Sequence, residues 1–164
     1  MEGNIEEIIR NNVVEFSLVY LDKQVDSTLD EFNQDNFTYY IFMELFNIDI
    51  TRSGFGLDFS TKEMTNDIGD LRIYKKDDIN KINYIEEIKK GDLLFFHTKD
   101  KDDNSPTPSN HYPGHVGIYL GEYNFIHVDL NTEKVVIDCL KDNWLNDLIG
   151  SRDIIKSLIL KSNI

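Results

Sequence analysis

The N-terminal third of the chain carries apolar residues at the spacing of amphipathic helices. In the first segment they recur every three or four positions, at Ile5, Ile8, Ile9, Val13 and Phe16. This period places them on one helix face, and Asn4 can cap the start of the helix. A second apolar set, at Phe37, Tyr40, Ile41 and Leu45, follows an acidic loop. We therefore expect a second helix that opens at Asp35 and ends near Asn47.

From Gly91 onward the pattern changes to the alternation that is typical of β-strands. The predicted strands are 93–97, 116–120, 124–128, 134–138 and 153–160. The intervening segment 51–90 shows only short elements. In a chain of 164 residues, helices followed by strands predict one α+β domain, residues 1–164, whose N-terminal helices pack on an antiparallel sheet.

Two histidines, His115 and His127, fall on consecutive predicted strands. A two-residue turn between these strands would put the imidazoles on opposite faces of the sheet, whereas a three-residue loop at 121–123 would put them on one face. The aliphatic pattern favours the longer loop, because one face then collects Val116, Ile118, Leu120, Ile126 and Val128. Two imidazoles on one face can form a general base and its orienting partner. Spacing alone is equally compatible with two half-buried histidines that have no chemical role.

Three linked motifs occupy this part of the chain. They are Gly91-Asp92-Leu93-Leu94-Phe95-Phe96, then Gly114-His115-Val116-Gly117-Ile118-Tyr119-Leu120-Gly121, then Phe125-Ile126-His127. In order and spacing they resemble the strand core of the NlpC/p60 family of cell-wall cysteine peptidases. The resemblance reaches back to Asp35 and the segment 47–53 and forward to 150–152, so that it covers most of the chain. It implies a papain-like α+β fold and no metal or cofactor.

The resemblance also implies roles for individual residues. In the family an Asp-Cys-Ser run begins the nucleophile helix, the first strand histidine is the base and the second histidine orients it. His115 would then be the base and His127 the orienting residue, and Asp35 matches the family's aspartate. Asn36 stands where the family has its nucleophilic cysteine. Since a carboxamide cannot become a thiolate, we expect a peptidoglycan endopeptidase scaffold that is inactive as written.

The remaining candidates concern the substrate groove and a second nucleophile. We assign substrate binding to Asp35, Tyr39, Tyr40 and Gly114, although core packing is the ordinary role of tyrosines at such positions. Cys139, the single cysteine, could be a relocated nucleophile. It ends a predicted strand rather than beginning a helix, which is more typical of a small packed residue.

Composition excludes several classes of function. A net charge of −13 and a pI near 4.6 argue against a nucleic-acid partner, which needs clustered cations. One cysteine excludes an intrachain disulfide and a multi-cysteine zinc site. His97, His111 and nearby aspartates could surround a divalent ion, but the segment lacks the glycine and final glutamate of a calcium loop. A solvated acidic loop explains it better.

The N-terminus is acidic and amphipathic, and no run of residues reaches transmembrane length. We expect synthesis in the cytoplasm without a signal peptide, and delivery to the cell wall, or presence in a virion, through another component. The expected partner is a peptidoglycan stem peptide. Two alternatives stay open: a structural or interaction component of a phage-tail or injection-type assembly, and an effector or lysin peptidase deliberately inactivated at position 36.

Overall fold

The computed structural model describes residues 2–24, 37–47, 70–73, 81–96, 115–129 and 131–161. These residues form five helices and six strands. In chain order they are α1 (Glu2–Leu18), α2 (Phe37–Phe46), β1 (Asp70–Ile73), α3 (Lys81–Glu86), β2 (Leu93–Phe96), β3 (His115–Gly121), β4 (Asn124–Val128), β5 (Val135–Cys139), α4 (Asp142–Asp147), β6 (Leu148–Asp153) and α5 (Ile154–Lys161). None of these helices is both long and apolar enough to cross a membrane.

The six strands form one sheet in the order β1-β6-β2-β3-β4-β5. Every neighbouring pair is antiparallel. The chain therefore builds the sheet from consecutive hairpins on one side and returns β6 to lie between β1 and β2 on the other. The prediction of an α+β fold with N-terminal helices on an antiparallel sheet is confirmed.

Each face of the sheet carries its own apolar cluster. On the face toward α1, α2 and α5 the buried residues include Phe37, Ile41, Phe42, Leu93, Phe95, Val116, Ile118, Ile126, Val128, Ile154 and Ile155. On the opposite face they are Ile85, Ile88, Leu94, Phe96, Tyr119, Phe125, Leu140 and Leu148. The aliphatic face predicted for β3 and β4 is thus the helix-covered face, and the histidine face has a separate apolar cover.

The β3–β4 hairpin reaches the expected register by a different route from the expected loop. Glu122 and Tyr123 form a two-residue turn and both have positive φ, 53° and 67°, which matches the primed turns favoured by strand twist. Gly121 pairs with Asn124, but the next pair is Tyr119 with Phe125. The residue between, Leu120, is therefore an extra residue in a β-bulge. The predicted three-residue loop was wrong. The bulge nevertheless shifts the pairing of β3 with β4 by one residue, as that loop would have done.

Gly121 is required at this bulge. Its φ is +97°, and a Cβ there would lie 3.1 Å from Lys90 Cε. Only glycine adopts this backbone conformation without strain. The hydroxyl of Tyr119 accepts a hydrogen bond from the Tyr123 amide at 2.8 Å, which ties the turn to the strand that enters it.

The C-terminal segment differs from the prediction. Residues 153–160 were expected to be a strand. Only the first of them, Asp153, belongs to a strand, as the last residue of β6, and the rest lie in helix α5, Ile154–Lys161. Its apolar residues, Ile154, Ile155, Leu158 and Ile159, are spaced as one helix face and pack on the helix-side cluster. Burial of that face outweighs the β-preference of its isoleucines.

Helix α1 also corrects two details. It begins at Glu2, so Asn4 lies within the helix and is not its cap. Ile5 and Ile8 are 36% and 58% exposed, whereas Val13 is buried in the core and Phe16 packs against it. The buried face is therefore rotated from the predicted one, and Arg10 lies on it with 5% exposure.

Arg10 joins α1 to the start of β2 and the end of β6. Its Nη1 donates to Asp92 Oδ1 at 2.9 Å and to the Lys90 carbonyl at 2.9 Å. Its Nη2 donates to Asp153 Oδ2 at 2.8 Å and to Glu6 Oε1 at 2.8 Å. Since Asp92 precedes β2 and Asp153 ends β6, one guanidinium holds the helix against two adjacent strands.

Burial sets the titration of this cluster. Burial, with the negative charge of Asp153, raises the pKa of Asp92 to about 7, against the opposing effect of the Lys89 amide and Arg10. Burial alone would lower the pKa of Arg10, but the carboxylates of Asp153 and Asp92 outweigh it and raise that pKa. At neutral pH the Asp92 carboxyl is therefore near its titration point, and its short contact with Arg10 favours the ionised form.

We expect Arg10→Met to lower the free energy of unfolding by about 3 kcal/mol at pH 8, because it leaves buried carboxylates without their cation. The loss should shrink at pH 5, since Asp92 then takes up a proton. Urea denaturation at both pH values measures this. Glu6→Gln, which removes only the more exposed contact, should cost less than about 1 kcal/mol. An equal loss for Arg10→Met at both pH values would contradict the electrostatic account.

Candidate active site

The hairpin register brings the two strand histidines into direct contact on one face of the sheet. His115 Nε2 lies 2.7 Å from His127 Nδ1, and the two rings meet edge to face. Their residues are 3% and 1% exposed. The prediction that these imidazoles share a face within hydrogen-bonding reach is confirmed.

Gly117 makes room for this contact. A Cβ at Gly117 would lie 3.0 Å from Phe125 Cδ2 and 3.4 Å from His127 Cβ. Any side chain here would push on the residues that hold the His127 ring. The absence of a side chain at this strand position therefore belongs to the geometry of the site.

A third polar residue, Asp138, extends the histidine pair. Its Oδ2 lies 2.7 Å from His127 Nε2. Asp138 sits on β5 opposite Phe125, while Val136 lies opposite His127, so its side chain reaches the ring diagonally across the two strands. Sequence reasoning missed this residue. The sequence feature that could have indicated it is a carboxylate inside an otherwise apolar strand, Val135–Cys139.

The order of acceptors assigns a direction to the hydrogen bonds. A carboxylate of Asp138 only accepts, so His127 Nε2 donates to it. His127 Nδ1 then carries a lone pair and accepts from the Nε2–H of His115. This leaves His115 Nδ1 unprotonated, and that nitrogen is the one able to take a proton from a neighbouring group. We call this series, His115, His127 and Asp138, the histidine relay.

Aromatic rings enclose the relay. Trp144 on α4 lies 5.8 Å from the His115 ring and 4.9 Å from the His127 ring, between centroids. The Phe125 ring lies 4.7 Å from the His127 ring at a tilt of 30°, and the Phe96 ring lies 6.1 Å from the His115 ring. Trp144 was not among the predicted site residues, because no local pattern shows where a short helix will dock.

This enclosure determines the charge of the imidazoles. Burial, followed by the neighbouring His127, lowers the pKa of His115 to about 4. Burial also lowers the pKa of His127, and Asp138 opposes that effect through its hydrogen bond and its charge. Both rings are therefore neutral at neutral pH, as a proton-accepting base requires.

Several predicted residues lie outside the part of the chain that the structure describes. These are Asp35, Asn36 and Gly114, the side chain of Tyr39, and the segment with His97 and His111, for which a solvated acidic loop was favoured over an ion site. Helix α2 begins at Phe37, directly after Asn36. The assignments at these positions stay predictions. Among the described residues, no group of three or more His, Cys, Asp or Glu could hold a metal ion.

Tyr40 and Cys139 lie within the described part of the chain. The Tyr20 hydroxyl donates to the Tyr40 hydroxyl at 3.0 Å, and the Tyr40 ring meets Tyr20 edge to face between α1 and α2. Cys139 ends β5 and is half-buried. A substrate-binding role for Tyr40 and a reactive role for Cys139 stay predictions.

Comparison with known proteins gives a family. Residues 27–152 match the sequence profile of the NlpC/P60 family. No match was found among curated proteins. The match includes all three members of the histidine relay and the position of Asn36.

Solved structures of this family have the same fold. The NlpC/p60 domain of the peptidoglycan hydrolase SagA superposes with a TM-score of 0.55 at 19% identity, over 88% of this chain and 97% of that domain. A NlpC/P60 family protein from Bacillus cereus gives 0.57 at 19% identity over 89% of this chain. NlpC2 from Trichomonas vaginalis gives 0.56 at 18% identity over 87%. The predicted papain-like α+β fold is confirmed.

The chain corresponds to different shares of these proteins. It spans nearly the whole SagA domain, but only 40% of the Bacillus cereus protein and 44% of NlpC2. At such identities the likeness concerns the fold, and function has to be argued from the site itself.

The low pKa of His115 predicts a loss of stability in acid. Below pH 6.5 the unfolded chain protonates this residue, whereas the native chain does so only below about 4. Stability is thus lost as pH falls through that window, by about 3 kcal/mol. His115→Gln should lack this loss. The raised pKa of Asp92 affects stability with the opposite sign, but equally in both chains. The difference between the two chains in the free energy of unfolding, from urea denaturation at each pH, therefore isolates His115. Parallel pH dependences of the two chains would contradict the prediction.

Proposed function

Because the chain belongs to the NlpC/P60 family, we propose that it has the scaffold of a peptidoglycan endopeptidase and binds wall stem peptides. We further propose that Asn36, in the position of the family's nucleophile, leaves it unable to cleave them. Delivery to the wall by another component is part of this proposal.

The observation that carries the proposal is the contact between His115 and His127 at 2.7 Å. It joins a buried imidazole with a free Nδ1 to a second ring that fixes its tautomer, which is what a base needs in order to activate a thiol. A solved relative is a peptidoglycan hydrolase, and this supports stem peptides as the substrate class to test.

A cysteine at position 36 would complete the chemistry. The thiol proton would pass to His115 Nδ1, and Sγ would attack the peptide carbonyl carbon. The resulting imidazolium would then give that proton to the leaving amine as the peptide bond breaks, and water would release the acyl group from sulfur. The thiolate would also favour protonated His115, raising its pKa from the present value of about 4.

Asn36 supports none of these steps. Its carboxamide has no proton that a neutral imidazole can remove at neutral pH, so no acyl-enzyme can form. With a neutral partner at that position, His115 keeps its low pKa. The chain would then hold a stem peptide without turning it over.

We expect Asn36→Cys to create peptidoglycan endopeptidase activity. Digestion of muropeptides, followed by mass spectrometry, should show cleavage by this variant and none by the chain with Asn36. The double variant Asn36→Cys/His115→Gln should lose at least about 10³-fold of the gained rate, since the base is gone. Equal cleavage by the single and double variants would contradict the assignment of His115.

Binding separates the proposal from its rivals. Titration calorimetry should show that the chain with Asn36 binds an isolated stem peptide. If neither chain cleaves and the chain with Asn36 binds no peptide, the proposal fails, and co-purification with tail or baseplate proteins becomes the test of an assembly role. The parent coding sequence would reveal a deliberate change at position 36.

A further inference from the structure

We infer that Asp138 is a positioning residue, which sets the direction of the histidine relay and thereby makes His115 Nδ1 the proton acceptor. This inference deepens the proposed function and rests on it for its catalytic consequence. Its structural consequence, the tautomer of each ring, does not depend on catalysis.

Asp138 is the member of the relay that contacts solvent. Its side chain is 41% exposed, whereas that of His127 is 1% exposed. The Oδ2 to Nε2 distance of 2.7 Å is typical of a hydrogen bond to a charged acceptor. Burying a charged carboxylate costs free energy, and partial exposure to solvent reduces that cost. The charged member of the relay is thus the one exposed to solvent, and the two neutral rings are the buried members.

The hydrogen bond between the two rings has no preferred direction of its own. Two neutral imidazoles at 2.7 Å can share a hydrogen bond in either sense. If His127 carried its proton on Nδ1, it would donate to His115 Nε2, and the His115 proton would move to Nδ1. His115 could then accept no proton from a nucleophile at that nitrogen. Asp138 excludes the direction in which His127 donates to His115. Its carboxylate can only accept a hydrogen bond, so the proton of His127 has to be on Nε2.

The other charges near the pair do not provide this selection. Asp129, which follows β4, raises the pKa of both histidines through its charge. Its carboxylate instead accepts hydrogen bonds from the Thr132 hydroxyl and the Asn131 amide. It favours the protonated form of either ring without distinguishing one ring nitrogen from the other. The third element against the rings, α4, presents Trp144 to them.

A matched control residue lies in the same surface groove. The groove has a volume of about 420 Å³ and is lined by residues of β5 and α4, including Asp138, Trp144 and Asp142. Asp142 is exposed and has no hydrogen bond to either histidine. Asp138→Asn and Asp142→Asn therefore remove the same charge from the same groove, and only the first alters a contact with the relay.

Nitrogen-detected NMR of the histidine rings tests the direction of the relay in the chain with Asn36. In this chain we expect protons on Nε2 of both His115 and His127. Asp138→Asn should populate the Nδ1–H form of His127 and lower its pKa, because the charge that opposes burial is gone. Asp142→Asn should leave the tautomers unchanged. Unchanged tautomers in Asp138→Asn, or the same change in both variants, would overturn the inference.

Kinetics in the Asn36→Cys background test the catalytic consequence. Asp138→Asn should lower kcat by about 10- to 100-fold with little change in KM, and should shift the acidic limb of the pH–rate profile, since ring orientation is lost while peptide binding is kept. Asp138→Glu should restore part of the rate. Full activity in Asp138→Asn would overturn the positioning role. If Asn36→Cys itself is inactive, the part of the proposed function that concerns cleavage fails, and the NMR result still decides the inference.

Discussion

The pairing register of β3 with β4 is the constraint on which the site depends. In a sheet, a shift of one residue moves every side chain to the other face. The extra residue at Leu120 and the left-handed turn at Glu122 and Tyr123 set this register. With it, the aliphatic residues of both strands face the helices and the two histidines face each other. Without the bulge the same turn would bury one imidazole among aliphatic side chains and leave the other on the opposite face.

Buried polar groups are accommodated in opposite ways around Arg10 and in the histidine relay. Around Arg10 it buries charges and satisfies them with each other, so that one guanidinium holds α1 against β2 and β6. In the histidine relay it keeps the buried groups neutral and leaves the single charge, on Asp138, near solvent. The first arrangement suits a permanent structural contact. The second suits proton transfer, because a neutral base in a dry surrounding can change its charge during a reaction.

Family membership accounts for the fold, whereas binding and cleavage have to be argued from the chemistry of the site. The fold is that of the NlpC/P60 family, and the match spans residues 27–152. In the proposed function Asn36, at the position of the family's nucleophile, prevents the formation of a thiolate there. A scaffold with a directed base and a carboxamide at that position would bind the substrate without cleaving it, which is why the proposed function separates binding from cleavage.

The sequence by itself determined the features that depend on local periodicity: the two N-terminal helices, four of the strands near their observed bounds, and the shared face of His115 and His127. Three features needed the tertiary structure. Asp138 joins the relay only through the register of β5 against β4, Trp144 only through the docking of α4, and residues 154–161 fold as a helix because their apolar face meets the core. Each depends on contacts between segments distant in the chain, and local patterns carry no information about which distant surfaces will meet.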